Sequence, residues 1–216
     1  MDLYSFFNSS TSYRVRIALV LKGLNIAYHG VNIRVGEQRD AGYIANINAS
    51  ASVPAIVDGD FRLAQSLAII DWLDVTHPEP RLIPVEPVLR ARVLEFANAI
   101  ACDIHPVNNL RILKYLTDVL KVTPEQKDAW YKHWIAEGMG TVERLLAQRS
   151  VAQVGPWAFG AEPTLADICL VPQIANALRM DCDLSAFPRA LAVFQHAKQH
   201  PAFDAAQPDR QPDYVQ

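Results

Sequence analysis

Ser52-Val53-Pro54-Ala55-Ile56-Val57-Asp58-Gly59-Asp60-Phe61-Arg62-Leu63-Ala64-Gln65-Ser66-Leu67 carries a change of period within sixteen residues. Residues 52–57 are strand-like and entered through a proline. Asp58-Gly59-Asp60 is turn chemistry, and Phe61 to Leu63 gives a second strand. Gln65-Ser66 then opens a helix whose apolar face is Leu67, Ile70, Trp72 and Leu73. A strand, a tight turn, a strand and a helix in succession belong to a mixed α/β layer.

Working back towards the start, Leu3 to Phe6 reads as a strand. Ser9-Ser10-Thr11-Ser12 supplies several possible helix caps, and Val15, Ala18, Leu19 and Lys22 mark the helix that Gly23 stops. Ile26 to Ile33 is a further strand, and Gly36 to Ile47 a loop with a short helix. The order is β-α-β-α-β-β-α over residues 1–82. His77-Pro78-Glu79-Pro80 and Pro84-Val85-Glu86-Pro87 then read as a linker.

From residue 88 to 216 the pattern is helical. Leu89, Val93, Phe96 and Ile100 recur at helical steps, and Pro106 predicts a kink near Cys102. Thr123-Pro124-Glu125-Gln126 and Thr164-Leu165-Ala166-Asp167 are two more helix starts. Residues around Pro208 and Pro212 read as a surface tail. The expected fold is an α/β domain followed by an all-α domain.

Composition bounds the function. Half of the 216 residues are hydrophobic and the formal charge is −3. No basic run points to nucleic acid, and no apolar stretch reaches membrane-span length. The start lacks the basic and apolar regions of a secretory leader. Three widely spaced cysteines do not make a disulfide framework, so a cytoplasmic setting is expected.

Several residues can carry chemistry, and each has a plainer use. Ser9 to Ser12 stand where a helix begins, and free N–H groups and the dipole there favour an anion. On spacing alone, capping is the commoner use of such residues. Arg14 and Arg16 follow. Val53-Pro54 reads as an ordinary trans proline at a strand start or as a rigid cis bond. Ser66 caps its own helix or donates to a ligand. Cys102-Asp103-Ile104-His105-Pro106-Val107-Asn108-Asn109-Leu110-Arg111 clusters polar groups at the kink. With no second ligand pair nearby in sequence, a polar pocket wall suits them better than a metal site. Arg179 matters only if it faces the same cleft.

In this order the motifs resemble those of the glutathione transferase superfamily, over nearly the whole chain. Ser9-Ser10-Thr11-Ser12-Tyr13-Arg14-Val15-Arg16 is similar to the zeta-class signature, as is Arg210-Gln211-Pro212-Asp213. Gln65-Ser66-Leu67-Ala68-Ile69-Ile70 and Thr164-Leu165-Ala166-Asp167 match hallmarks shared by many classes. The resemblance implies a thioredoxin-like N-terminal domain, an all-α C-terminal domain and a homodimer. It implies glutathione as cofactor and cis–trans isomerisation of a dicarboxylate, maleylacetoacetate or maleylpyruvate, in aromatic catabolism such as tyrosine breakdown. A general transferase acting on electrophiles such as halogenated acids is the alternative, and a non-catalytic scaffold a third.

The implied roles follow the same motifs. Ser9, Ser10 and Thr11 would face the sulfur, and Val53 would pair by backbone with the cysteinyl part. Gln65 and Ser66 would hold the γ-glutamyl carboxylate. Gln38 or Arg39 would meet the glycyl end, and His105, Asn109 and Arg111 would line the cleft. Arg179, Arg111 and Arg14 are candidate clamps for the substrate's carboxylates. The chain departs from the signature at Thr11, where the class has cysteine, and at Ala51-Ser52, where a larger polar residue is usual.

Overall fold

The computed structural model describes residues 1–215. Its packing forms two units, Met1–Ile83 with the chain from Lys198 onward, and Pro84–Ala197.

The first unit holds strand β1 (Asp2–Ser5), helix α1 (Ser10–Leu21), β2 (Ala27–Gly30), α2 (Ala41–Asn46), β3 (Ala55–Asp58), β4 (Phe61–Ala64) and α3 (Ser66–Thr76). The sheet order is β2-β1-β3-β4. β1 runs parallel to β2 and antiparallel to β3, with Leu3 opposite Tyr28 and Ile56. Leu3, Val15, Ile17, Ala55, Ile56, Ile69, Ile70 and Leu73 are buried together with the sheet. These apolar side chains come from α1, α3 and the strands, so burial rather than propensity holds the layer.

Two strands are shorter than their sequence pattern. β2 ends at Gly30 rather than Ile33. Val31 N still reaches Ser5 O at 2.8 Å, but Asn32 then bonds its own loop, its N–H donating to Glu37 Oε2 at 2.6 Å. β3 begins at Ala55, after the proline, which has no N–H to give a ladder. The Val53-Pro54 bond is cis.

A buried ion pair fixes the end of α3. Lys22 Nζ donates to Asp74 Oδ1 at 2.8 Å and to the carbonyls of His77 and Pro80. Asp74 also accepts from the N–H groups of Leu82 and Ile83. The proline-rich stretch is therefore a folded edge of this unit, with every partner of the two charges satisfied.

The final segment, expected as a surface tail, packs into the same unit. Helix α9 (Pro201–Ala205) lies against α1. Asp213 accepts from Phe7 N at 2.9 Å and Tyr28 Oη at 2.6 Å. A Cβ at Gly30 would fall 2.8 Å from Asp213 Cβ, so only glycine admits that approach. Prolines signalled an irregular chain correctly, but not where it lies.

The second unit holds α4 (Pro87–Asn98), α5 (Leu110–Asp118), α6 (Pro124–Ala147), α7 (Leu165–Arg179) and α8 (Pro188–Ala197). The expected kink is a longer irregularity. Ala99–Ile104 forms a π turn, with His105 N bonded to Ile100 O, before a 3₁₀ turn at Pro106–Asn108. Ile104 seats against Gly138 of α6, where a Cβ would lie 2.2 Å from Ile104 Cγ1. Thr123 and Gln126 form the capping box of α6, and Thr164 and Asp167 that of α7.

Asp167 is fully buried and accepts from Ala158 N, Thr164 N and Thr164 Oγ1. Burial raises its carboxyl to about 6 from 3.8, against the pull of those donors. A carboxyl with a raised folded-state pKa gains protons on folding. Its contribution to stability therefore grows as pH falls from 7 through 6 towards 4. Urea unfolding of the wild type and of Asp167→Asn across that range should show their difference moving in the wild type's favour, by up to about 3 kcal/mol. A pH-independent difference would contradict the assignment.

Candidate active site

The β1-to-α1 turn is set by Arg16. Its guanidinium is 3% exposed. It donates to Ser5 Oγ at 3.2 Å, to the carbonyls of Phe6 and Phe7 at 3.2 and 3.0 Å, and to Ala206 O at 3.0 Å. Burial lowers its pKa to about 10, which leaves it charged at neutral pH, with Tyr28, Tyr13 and Asp213 acting the other way. Tyr13 is also buried, its phenol donating to Phe203 O, and burial pushes its pKa well above the ordinary value.

With the strand end held, α1 begins at a fixed point. Ser9 is its N-cap in extended geometry, and its Oγ accepts from Ser12 N at 3.2 Å. Ser9 Oγ lies 2.9 Å from Thr11 Oγ1, which donates to Val53 O at 3.1 Å. Ser10 is buried at the first helical position. The structure thus joins Ser9, Thr11 and Val53, with Thr11 and Val53 42 residues apart in sequence.

Val53 carries a usable backbone pair. Its carbonyl is held by the Thr11 hydroxyl, and among the described residues its N–H makes no hydrogen bond. The preceding loop is pinned, because Ser52 O accepts from Tyr43 Oη and Asn48 Nδ2. Ala51 takes a left-handed φ of 49°. Neither Tyr43 nor Asn48 carried a sequence signal, since their bonds to Ser52 are made only on folding.

Gln65 and Ser66 open α3. Gln65 adopts φ 70°, and its side chain makes no capping bond. Beneath Ser66 lies Arg14, which corrects its expected place as a substrate clamp. The side chain is 1% exposed and turned inward. Nη1 donates to Ser66 Oγ at 3.4 Å, while Nε and Nη2 have no partner among the described residues. A buried cation stands behind a helix N-terminus, with no anion beside it among the described residues. Both features are positive, so the place calls for negative charge.

Gln38 is nearly buried in the 3₁₀ turn Glu37–Arg39, with its Oε1 unpartnered among the described residues. The remaining residues belong to the second unit. Asn109 caps α5, its Oδ1 accepting from Arg111 N at 3.1 Å. That orientation leaves its amide to donate to His105 Nε2 at 3.1 Å. Arg111 follows on the exposed face of α5. Asn108 is the buried neighbour, bonded to Tyr131 O. Arg179 ends α7, exposed, with Nη2 on Asn176 Oδ1, and its charge works against the burial that raises Tyr131 to about 12.

Comparison with known proteins extends these observations. The family model described as the glutathione S-transferase N-terminal domain matches residues 1–75. A probable maleylacetoacetate isomerase of Vibrio cholerae is 43% identical, over 98% of this chain and 97% of its own. The solved holo structure of a maleylpyruvate isomerase, described as a bacterial zeta-class glutathione transferase, is 40% identical. It superposes with a TM-score of 0.95 over 100% of both chains. The maleylacetoacetate isomerase of Anaeromyxobacter dehalogenans, solved with glutathione bound in its active site, is 36% identical with a TM-score of 0.86. That match covers 99% of this chain and 97% of the other.

Arg16 gives the local prediction. Arg16→Met keeps the stem but strips donors from three buried carbonyls and the Ser5 hydroxyl. It should cost about 3–5 kcal/mol in urea unfolding. A loss under about 1 kcal/mol would show that the turn does not depend on this side chain.

Proposed function

The chain belongs to the glutathione transferase superfamily, in its zeta class, and from that membership we propose a glutathione-dependent cis–trans isomerase of a maleyl 2,4-dioxo diacid. Its relatives bear the names maleylacetoacetate isomerase and maleylpyruvate isomerase. The reaction belongs to the breakdown of aromatic compounds, tyrosine among them.

The observation that carries the cofactor assignment is Arg14 behind Ser66. Glutathione's γ-glutamyl carboxylate supplies the negative charge that a buried guanidinium and the start of α3 both favour. Ser66 Oγ accepts from Arg14 and keeps its own proton for that carboxylate. Gln65 stands beside it. The Val53 N–H and C=O suit an extended peptide, which adds to a sheet through backbone bonds. Gln38 is assigned to the glycyl end, and His105 and Asn109 are assigned as further cofactor contacts.

Bound glutathione supplies the sulfur nucleophile that adds reversibly to the cis double bond and departs once that bond has turned. The chain's part is electrostatic. Ser9, Ser10 and Thr11, with the first N–H groups of α1, favour an anion at the turn and so lower the pKa of a thiol held there. The same donors steady negative charge that develops on the substrate's oxygen. Arg111 and Arg179 are assigned to the substrate's carboxylates, which their exposed guanidinium groups match in charge and shape. No hydroxyl of the turn needs to attack carbon, since the nucleophile is the cofactor's.

We further infer a homodimer in the cytoplasm. Phe61 on the edge strand β4 and Val75 of α3 expose apolar surface, with Trp72 against Phe61 at 5.1 Å between ring centroids. Cys102, Cys169 and Cys182 all stand outside any disulfide, which suits a reducing compartment. No described helix is long and apolar enough to cross a membrane.

The test is conversion of maleylacetoacetate and of maleylpyruvate to their trans isomers, with and without glutathione. Glutathione-dependent turnover of at least one is expected. Turnover of neither, with conjugation of halogenated acids intact, would favour the transferase. Ser9→Ala should raise the apparent pKa of bound glutathione by about one unit. Arg179→Ala should raise KM for the diacid roughly tenfold, through loss of a charge-assisted pair, with little change for a neutral electrophile.

A further inference from the structure

Three hydrogen bonds at the turn share two hydroxyls. Ser12 N is 3.2 Å from Ser9 Oγ, Ser9 Oγ is 2.9 Å from Thr11 Oγ1, and Thr11 Oγ1 is 3.1 Å from Val53 O. A carbonyl oxygen only accepts, so Thr11 commits its single proton to Val53. The bond between the hydroxyls then has Ser9 as its donor. The chain runs one way, from Ser12 N–H through Ser9 and Thr11 to the Val53 carbonyl. In this arrangement Ser9 has no proton left for a ligand.

We propose that Thr11 is a positioning residue that couples docking of a peptide backbone at Val53 to release of the Ser9 proton towards the cofactor's sulfur. This rests on the glutathione reading above. A peptide N–H arriving at Val53 O satisfies that carbonyl on one lone pair, so the departure of Thr11 no longer leaves it without a donor. The Thr11 hydroxyl then turns and donates to Ser9 Oγ. Ser9, accepting from Ser12 N and Thr11, fills both lone pairs and keeps one proton for the sulfur, which matches the capacity of a hydroxyl. Two O–H rotors turn, and no proton passes between heavy atoms. Accepting two donors also polarises the Ser9 O–H and strengthens what it gives.

This arrangement separates docking from ionisation of the thiol. Thr11→Val keeps the shape, removes the hydroxyl and leaves Val53 O already vacant. Calorimetry with S-methylglutathione, whose sulfur cannot ionise, should show binding to the variant as tight as to wild type or tighter. Ultraviolet titration of bound glutathione should show its thiol pKa raised, but by less than in Ser9→Ala, since Ser9 keeps its proton for the sulfur and loses only the second donor that polarises it. Thr11→Ser should restore the wild-type titration.

The deciding comparison is Ser9→Ala with and without Thr11→Val. If Thr11 acts through Ser9, the double variant titrates like Ser9→Ala alone. Additive shifts would overturn the relay and make Thr11 a direct sulfur contact. Weaker S-methylglutathione binding by Thr11→Val would overturn it too, as the mark of a structural role. Failure of the wild type to bind S-methylglutathione would instead remove the glutathione reading on which the relay stands.

Discussion

The Arg16 guanidinium is the contact on which the first unit's geometry depends. A charge this deeply buried is expensive, and here the cost is offset by four acceptors from two separate pieces of chain. Ser5, Phe6 and Phe7 are the end of β1 and its exit, Arg16 lies on α1, and Ala206 follows α9. The guanidinium also lies over the Tyr13 ring, 5.3 Å from its centroid. One planar group therefore decides how far β1 runs before the chain turns. The position of Ser9 and the direction of the first N–H groups of α1 follow from that.

Three cations are buried in this unit, and they are settled in different ways. Lys22 has Asp74 as a counter-charge and two carbonyls besides. Arg16 has no ion pair within 4 Å among the described residues but has a neutral acceptor for most of its N–H groups. Arg14 has one long bond to a hydroxyl and two unsatisfied nitrogens. The first two arrangements are complete and read as architecture. The third is incomplete, and it stands at a helix start where negative charge is already favoured. The contrast within one unit separates a structural arginine from one that awaits a ligand, although both come from a single Arg-Val-Arg run.

That run also shows how far the sequence was legible. Local chemistry could be read directly. Thr123 and Thr164 cap the helices expected to start there, Asp167 closing the expected box and Gln126 closing a second, and the strand-turn-strand-helix order of residues 52–67 stands. What was lost lay in contacts across long separations. Ile26 to Ile33 has a strand's composition, but β2 stops at Gly30, where the chain leaves to bond its own loop. The last residues read as surface because prolines say nothing about Asp213 meeting Phe7 and Tyr28, 206 and 185 positions away. Arg14 is a candidate substrate clamp by residue type, but type does not reveal which side of its helix is buried, and the residue is 1% exposed. Pro106 signals a kink, but neither the π turn before it nor the seating of Ile104 against Gly138 has a local signal in the sequence.

Thr11 ties the helix cap at Ser9 to the carbonyl of Val53. Cysteine at this position, as in the class signature, would bring a weak donor and a weak acceptor. It could not readily hold Val53 O and support Ser9 at hydrogen-bond strength. Threonine does both, since its hydroxyl has one proton to give and two lone pairs to fill, and its branched side chain restricts where that hydroxyl sits. Losing a thiol therefore removes no nucleophile that the reaction needs, and it adds a directional link between the sheet end and the helix cap. A turn made of hydroxyls and amide N–H groups is suited to holding a sulfur anion that arrives from outside. Its own atoms serve by where they place their protons, and that placement is set by the carbonyl of Val53 at one end and the guanidinium of Arg16 at the other.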